Sequence, residues 1–141
     1  MRKFLLTFLL VSVLALFLAA CGGGDSADSG GEAADGSVGN AANGEKLYKS
    51  ATIGSASAPG CNTCHSLEAD VVIVGPSHAG IAARAETAVE GMTAEEYLHD
   101  SIVNPDAHVT EGYTAGVMYQ NYGAEIPEPQ INDLVAFLLT Q

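Results

Sequence analysis

The stretch Cys61-Asn62-Thr63-Cys64-His65 places two cysteines three positions apart, with a histidine directly after the second cysteine. Residues three positions apart lie on the same side of a helical turn, so both thiols can reach one flat cofactor. Cys-x-x-Cys-His is the attachment signature of c-type haem, in which each thiol forms a thioether with a haem vinyl group. The histidine then lies beneath the same porphyrin as an axial ligand of the iron. The sequence therefore predicts one haem c, bound covalently through Cys61 and Cys64 and ligated by His65.

Two other uses of a Cys-x-x-Cys pair fit the surrounding residues less well. A thioredoxin-like redox pair opens a helix after a strand, whereas residues 53–60 are rich in Gly, Ser and Ala and predict a loop. A zinc site needs a second pair of ligands, and the third cysteine of the chain, Cys21, lies in a different kind of segment. Haem attachment is the interpretation that these neighbours favour.

The chain begins with a segment typical of protein export. Two cations within the first three residues precede an apolar run over residues 4–20. The run ends in Leu18-Ala19-Ala20-Cys21, which resembles the lipobox of bacterial lipoproteins. We therefore expect residues 1–20 to be a lipoprotein signal peptide and Cys21 to carry the lipid that anchors the protein to the outer face of the cytoplasmic membrane. An uncleaved transmembrane helix is the alternative, but a run this short is at the lower limit for spanning a bilayer.

The rest of the chain divides into a linker and one small domain. Residues 21–40 are rich in Gly, Ser, Ala and Asp, so they are predicted to form a flexible acidic linker. Residues 41–141 suffice for a single domain, which carries thirteen acidic side chains against three basic ones. This acidity argues against a nucleic-acid partner and favours a protein partner with a basic docking patch.

Helical signals predict an all-α domain with three to five short helices. The first helix follows Asn40 as its N-cap and ends near residue 51, and the last covers residues 128–140 with an apolar stripe. Between them, residues 80–85 form a brief helix, and a longer helix begins with a capping box at Thr93 and stops before Pro105. A glycine inside the first helix indicates that another helix crosses it closely, and the last helix is the candidate.

The domain resembles the class I, or mitochondrial-type, monohaem cytochromes c. In that family a glycine and an aromatic residue four positions later on the first helix cross a leucine and an aromatic residue three positions later on the last helix. Gly44, Tyr48, Leu134 and Phe137 match this pattern. The resemblance extends over residues 41–141 and implies the small cytochrome c fold, in which the N- and C-terminal helices cross and short helices surround one covalently bound haem.

The resemblance also implies a role for the residues after the attachment motif. Residues 75–80, Gly-Pro-Ser-His-Ala-Gly, match the family's Gly-Pro-x-Leu-x-Gly segment. The match implies that the carbonyl of Pro76 accepts a hydrogen bond from Nδ1 of His65, which directs Nε2 at the iron. His78 stands where the family has leucine, on the side of the haem that His65 already occupies. It is therefore expected to pack rather than to bind the iron.

Two methionines are candidates for the second axial ligand. Met118 lies in a glycine-punctuated loop before the last helix, where class I cytochromes have their methionine, and Tyr119 replaces the proline that usually follows it. Met92 directly precedes the capping box and is assigned to a hydrophobic staple, so Met118 is the predicted ligand. The remaining histidines, His99 and His108, are expected on the surface.

With both axial positions filled, the iron cannot readily bind oxygen or peroxide, so we expect a one-electron carrier and not an enzyme. Its partners are expected to be respiratory or photosynthetic redox complexes of the membrane. Two alternatives remain open at this stage. The chain can be a haem subunit built into a larger quinol-oxidising or oxidase complex, or a peroxidase or gas sensor with an open sixth position.

Overall fold

The computed structural model describes residues 39–141. The predicted signal peptide (1–20), the predicted lipidation site Cys21 and most of the predicted linker lie outside the described residues. The described part contains five α-helices: α1 (Ala41–Lys49), α2 (Ile81–Ala85), α3 (Ala94–Val103), α4 (Tyr122–Glu125) and α5 (Glu128–Leu138). A two-stranded antiparallel hairpin, β1 (Thr52–Ile53) and β2 (Ala58–Pro59), and a 3₁₀ helix (Cys61–Thr63) lie between α1 and α2. The predicted all-α fold is confirmed.

The first and last helices cross at Gly44, as predicted. A Cβ atom on Gly44 would lie 1.9 Å from the carbonyl oxygen of Asp133 and 2.8 Å from Cβ of Phe137. Only the missing side chain lets the two backbones approach so closely. Next to this contact, the rings of Tyr48 and Phe137 pack with their centroids 5.3 Å apart. Tyr48 and Leu134 are each 1% exposed, so the crossing forms the centre of the core.

Two N-terminal caps set where the helices begin. The side chain of Asn40 accepts a hydrogen bond from the amide of Asn43 at the start of α1. At α3, Thr93 accepts from the amide of Glu96 while the Glu96 carboxylate accepts from the amide of Thr93, which completes the predicted capping box. Each cap satisfies amides that have no partner within the helix, which explains why both starts were readable from local sequence.

Two elements differ from the sequence-based expectation. Residues 53–60, predicted as a loop, include a hairpin in which Thr52 pairs with Pro59 and Ile53 with Ala58. Strands of two residues are too short to show an alternating pattern, so periodicity missed them. Helix α4 was not predicted, because a single turn such as Tyr122–Glu125 also carries no periodic signal. The ends of α1 and α5 lie about two residues earlier than expected, as helix ends commonly do.

Helix α5 is central to the core and is buried on all sides over its second half; its buried side chains are Ile131, Leu134, Val135, Ala136, Phe137 and Leu138. Helices α1 and α3 both pack against this helix. A large cavity opens beside the core, and its walls include the attachment motif and the loop between α3 and α4. Within residues 39–141, no helix has the length and apolar character needed to cross a membrane.

Candidate functional site

The attachment motif begins as one tight helical turn. Gly60 precedes the 3₁₀ helix, and its carbonyl accepts hydrogen bonds from both the amide and the hydroxyl of Thr63. The carbonyl of Cys61 then accepts from the amides of Cys64 and His65, at 3.1 and 2.9 Å. This turn brings Cys61, Cys64 and His65 to the wall of the same cavity, as their spacing predicted.

Two buried tyrosines anchor the chain on either side of the motif. The hydroxyl of Tyr122 donates to the carbonyl of Pro59 at 2.6 Å, and the hydroxyl of Tyr48 donates to the carbonyl of His65 at 3.0 Å. Burial raises the pKa of both phenols, so they stay protonated and remain donors. The motif is therefore held between α1 and α4, although neither helix is close to it in sequence.

Gly60 gives the motif a third point of attachment. Its amide donates to the carbonyl of Ala51 at 2.9 Å, and a Cβ atom here would lie 1.7 Å from the carbonyl oxygen of Ser50. No larger residue fits between the end of α1 and the 3₁₀ helix without moving the backbone. The hairpin that sequence analysis missed is thus what carries the chain into the attachment motif.

The side chain of His65 is held by the segment that follows the motif. Its Nδ1 lies 2.9 Å from the carbonyl oxygen of Pro76, the contact that the family resemblance implied. Because a carbonyl only accepts, this contact places the proton on Nδ1 and leaves the lone pair of Nε2 for a metal. Burial lowers the pKa of His65, which favours the neutral imidazole that a metal requires.

Gly75 has a role that sequence analysis did not assign. A Cβ atom at this position would lie 2.4 Å from Cε1 of His65 and 2.8 Å from Nδ1. The backbone therefore packs directly on the edge of the imidazole, while the amides of Val74 and Gly75 both donate to the carbonyl of Cys64. The Gly-Pro pair in the sequence was the available signal, but only the fold shows that the glycine touches the ring.

His78 stacks on His65. The ring centroids are 4.1 Å apart and the planes differ by 15°, so the two imidazoles lie face to face. Burial lowers the pKa of His78 to about 3, with His65 and then Arg84 as further causes, so the ring is neutral. Its Nδ1 is buried and has no hydrogen-bond partner. His78 thus packs beside His65, the position expected from its place in the sequence.

One cavity of about 580 Å³ adjoins all four side chains predicted to contact haem: Cys61, Cys64, His65 and Met118. Its remaining lining is mostly apolar and aromatic. Met92, the other candidate ligand, does not line this cavity. Two thiols and a neutral imidazole beside an apolar cavity of this size are the groups that a covalently attached haem requires, and the thioether of Met118 lines the same cavity. The residues present therefore fit the group.

The loop that carries Met118 is tied to the chain just after α3. The carboxylate of Asp106 accepts from the amide of Gly116 at 2.8 Å and from the side-chain amide of Gln120 at 3.2 Å. The same Gln120 amide donates to the carbonyl of Met118 at 2.8 Å. One carboxylate thus joins residues on both sides of the methionine. Sequence analysis missed Asp106 and Gln120, because neither has a local signal for this role.

Tyr119, which replaces the family's proline, is also fixed by contacts. Its hydroxyl donates to the carboxylate of Glu125 in α4, and its ring meets that of Tyr122 edge-on with centroids 5.1 Å apart. Side-chain contacts therefore restrain a backbone that a proline would otherwise stiffen.

His99 and His108, which were predicted to lie on the surface, are both partly exposed. His99 is partly exposed and lies 2.7 Å from the carboxylate of Glu128. His108 is less exposed, lines the cavity, and contacts the carboxylate of Asp100 at 2.7 Å. The fold of the loop after α3 turns this side chain inward, which short-range sequence patterns do not indicate.

The fold and the site define a small, mainly helical protein that encloses one covalently attached haem. A family model described as cytochrome c matches residues 41–141, and the chain belongs to the cytochrome c family. Comparison with curated proteins finds no match. As a member of this family the protein is a haem-based electron carrier, and it binds haem c covalently through Cys61 and Cys64.

Proposed function

We propose that this cytochrome is a lipid-anchored, one-electron carrier whose haem iron is ligated by His65 and Met118. The observation that carries the proposal is that both residues line the same cavity as Cys61 and Cys64. The bound haem supplies one-electron chemistry by alternating between ferrous and ferric iron. The protein's part is to fill both axial positions, exclude water and hold the ligands still.

Each ligand is supported by its surroundings. His65 has its proton fixed on Nδ1 by Pro76, and its ring is confined between Gly75 and His78. Met118 carries a soft thioether, which favours ferrous iron and raises the reduction potential. Closed coordination separates this carrier from a peroxidase or gas sensor, which needs a free position on the iron.

The visible spectrum of the purified holoprotein tests the ligation. We expect a low-spin ferric spectrum and a reversible one-electron titration. A Cys64→Ser variant, which lacks one thioether, is the control for covalent attachment. A high-spin ferric spectrum, or rapid binding of carbon monoxide by the ferrous protein, would contradict closed coordination and favour a sensor or peroxidase.

The anchor proposal rests on the lipobox that ends in Cys21. Two acyl chains on this cysteine would hold the protein stably to the outer face of the cytoplasmic membrane, with the linker as a tether. Metabolic labelling with a radioactive fatty acid tests the idea. We expect label on the wild type and none on Cys21→Ser; an unlabelled wild type would refute the anchor.

The partner proposal rests on charge. The family-matched region carries thirteen acidic side chains against Lys46, Lys49 and Arg84. Such a surface steers a carrier toward a basic patch on a membrane redox complex and raises the association rate more than the affinity. Exposed charges are screened over about 10 Å at 0.1 M salt, so stopped-flow electron transfer with that complex is expected to slow as salt is added. A rate that stays flat or rises with ionic strength would exclude this steering.

A further inference from the structure

The large apolar side chains that are exposed within residues 39–141 gather at one place. Six are exposed, and all belong to the two loops around the mouth of the haem cavity. Three of them line the cavity itself: Val74, Val109 and Val117. The other three, Val71, Val72 and Ile73, directly precede Val74 in the chain and do not line the cavity. We call residues 71–73 the valine ridge.

The valine ridge is fixed beside the attachment motif. Val72 forms an isolated antiparallel bridge with His65, and the amide of Val74 donates to the carbonyl of Cys64 at 3.1 Å. A haem in the cavity would cover part of the side chains that line it, but the ridge lies outside that lining. Val72 is 61% exposed and Ile73 is 52% exposed. An apolar cluster that stays exposed on a soluble domain marks a contact surface.

The rim of the same mouth is acidic. The loop over residues 66–80 carries Glu68 and Asp70, the loop over residues 104–121 carries Asp106 and Glu111, and all four side chains are exposed. Neither loop contains a lysine or arginine. In the described part of the chain, the cations lie instead on α1 and α2. The two loops therefore combine an apolar ridge with four exposed acidic side chains, and the cation nearest to them is Arg84, which donates to the carbonyls of Ser77 and Ala79 at the far end of the first loop.

We propose that the valine ridge is the docking surface for the redox partner, and that this partner presents an apolar patch bordered by basic side chains. The inference rests on the proposed carrier function and names the surface through which it operates. The acidic border disfavours the two other occupants, because an anionic lipid surface and a second copy of this chain would both bring like charges together. Apolar burial supplies affinity at this surface, while the border supplies steering.

An oxidation assay with membranes tests the apolar contribution of the ridge. The probe is the washed membrane fraction of the producing cells, which contains the redox complexes and oxidises the added, reduced holoprotein. The holoprotein carries Cys21→Ser behind a cleavable export signal, so that lipid insertion does not mask docking. The test variant is Val72→Ser/Ile73→Ser, and the single Val72→Ser is a milder second variant. The matched control, Ala42→Ser/Ala83→Ser, makes two exposed side chains polar away from the mouth.

We expect the double variant to raise the KM for oxidation by membranes at least about tenfold, since two apolar side chains no longer become buried. The control is expected to keep the wild-type KM. Oxidation by dissolved tris(phenanthroline)cobalt(III), which needs no docking surface, is expected to proceed at the same rate in all variants. Equal KM values for wild type and both ridge variants would overturn the ridge as the docking surface.

Two further results would show whether the carrier function or the kind of partner is wrong. If the membranes do not oxidise wild-type holoprotein at all while the cobalt complex does, the proposed carrier function for these membranes fails, and the docking inference fails with it. Vesicles of phosphatidylcholine and phosphatidylglycerol test a lipid occupant. Binding of wild type to these vesicles that is lost in Val72→Ser/Ile73→Ser would assign the ridge to a lipid surface and overturn the protein partner.

Discussion

The carboxylate of Asp106 accepts a hydrogen bond from the amide of Gly116 across the loop that carries Met118. With Gln120 bound to the same carboxylate, the two sides of the methionine are joined to one point after α3. A loop held in this way restrains Met118 at the wall of the cavity, because any opening must first break these contacts. Asp106 therefore restrains Met118, the proposed sixth ligand, through contacts on either side of it.

Replacing Asp106 by Ala is expected to speed the binding of imidazole to ferric holoprotein about fivefold, since one net hydrogen bond is worth roughly 1 kcal/mol. Asp106→Asn is the control, because its amide oxygen can still accept from Gly116. Stopped-flow spectroscopy measures both rates. If the Ala and Asn variants bind imidazole equally fast, the carboxylate does not restrain the loop.

The methionine assignment predicts opposite results for the two candidate residues. Met118→Ala is expected to open the sixth position, which lowers the reduction potential and lets the ferrous protein bind carbon monoxide. Met92→Ala is expected to keep the wild-type spectrum and to lose roughly 1–2 kcal/mol of unfolding free energy, because a half-buried side chain is truncated. An unchanged spectrum and potential in Met118→Ala would show that another side chain is the ligand.

His78 offers a test of the stacked pair. His78→Leu removes the buried Nδ1 that has no partner and keeps a side chain of similar size against His65. We expect the unfolding free energy of the holoprotein to rise by about 1 kcal/mol, the lower end of the cost of an unsatisfied buried group. His78→Ala, which leaves a gap beside His65, is expected to reduce it. Denaturant unfolding followed by the Soret band compares the two, and a destabilised Leu variant would indicate that Nδ1 has a partner, such as a buried water.

The helix crossing predicts a large effect at one glycine. Gly44→Val places a side chain where a Cβ alone would lie 1.9 Å from the carbonyl oxygen of Asp133. We expect a loss of about 3 kcal/mol, the upper range for overpacking, because backbone must move to make room. Ala42→Val on the exposed side of α1 is the control and is expected to cost about 0.5 kcal/mol through helix propensity alone. Thermal unfolding of both proteins decides whether the crossing is as tight as the contact indicates.

The capping box of α3 predicts a pH dependence. Hydrogen bonds from the amide and then the hydroxyl of Thr93 lower the pKa of Glu96 below its ordinary value. The ionised cap therefore adds stability above the unfolded pKa of about 4.3, and this stability is lost as the pH falls through the lower folded pKa. We expect Glu96→Gln to melt below wild type at pH 7, with the difference shrinking toward pH 3. Glu95→Gln in the same turn controls for the charge alone, and an equal, pH-independent difference in both variants would rule out the box.

Much of the fold and part of the site followed from the sequence, because those features depend on residues close together in the chain. The capping box at Thr93 needs only a hydroxyl and a carboxylate three positions apart, and the two thiols need only one helical turn. The crossing at Gly44 involved distant residues, but the glycine inside a helix and the apolar stripe of the last helix each indicated a close partner. Local hydrogen bonding and periodicity thus determined the helices and the attachment motif.

Only the tertiary structure decided what surrounds these elements. Gly75 packs on the ring of His65, Asp106 ties the loop of Met118, and His108 lines the cavity. These three placements involve contacts between residues eight or ten positions apart. The exposure of the valine ridge was likewise decided by the fold. Such contacts depend on how loops without a periodic pattern are placed by the packed helices, and no spacing within the sequence encodes that placement.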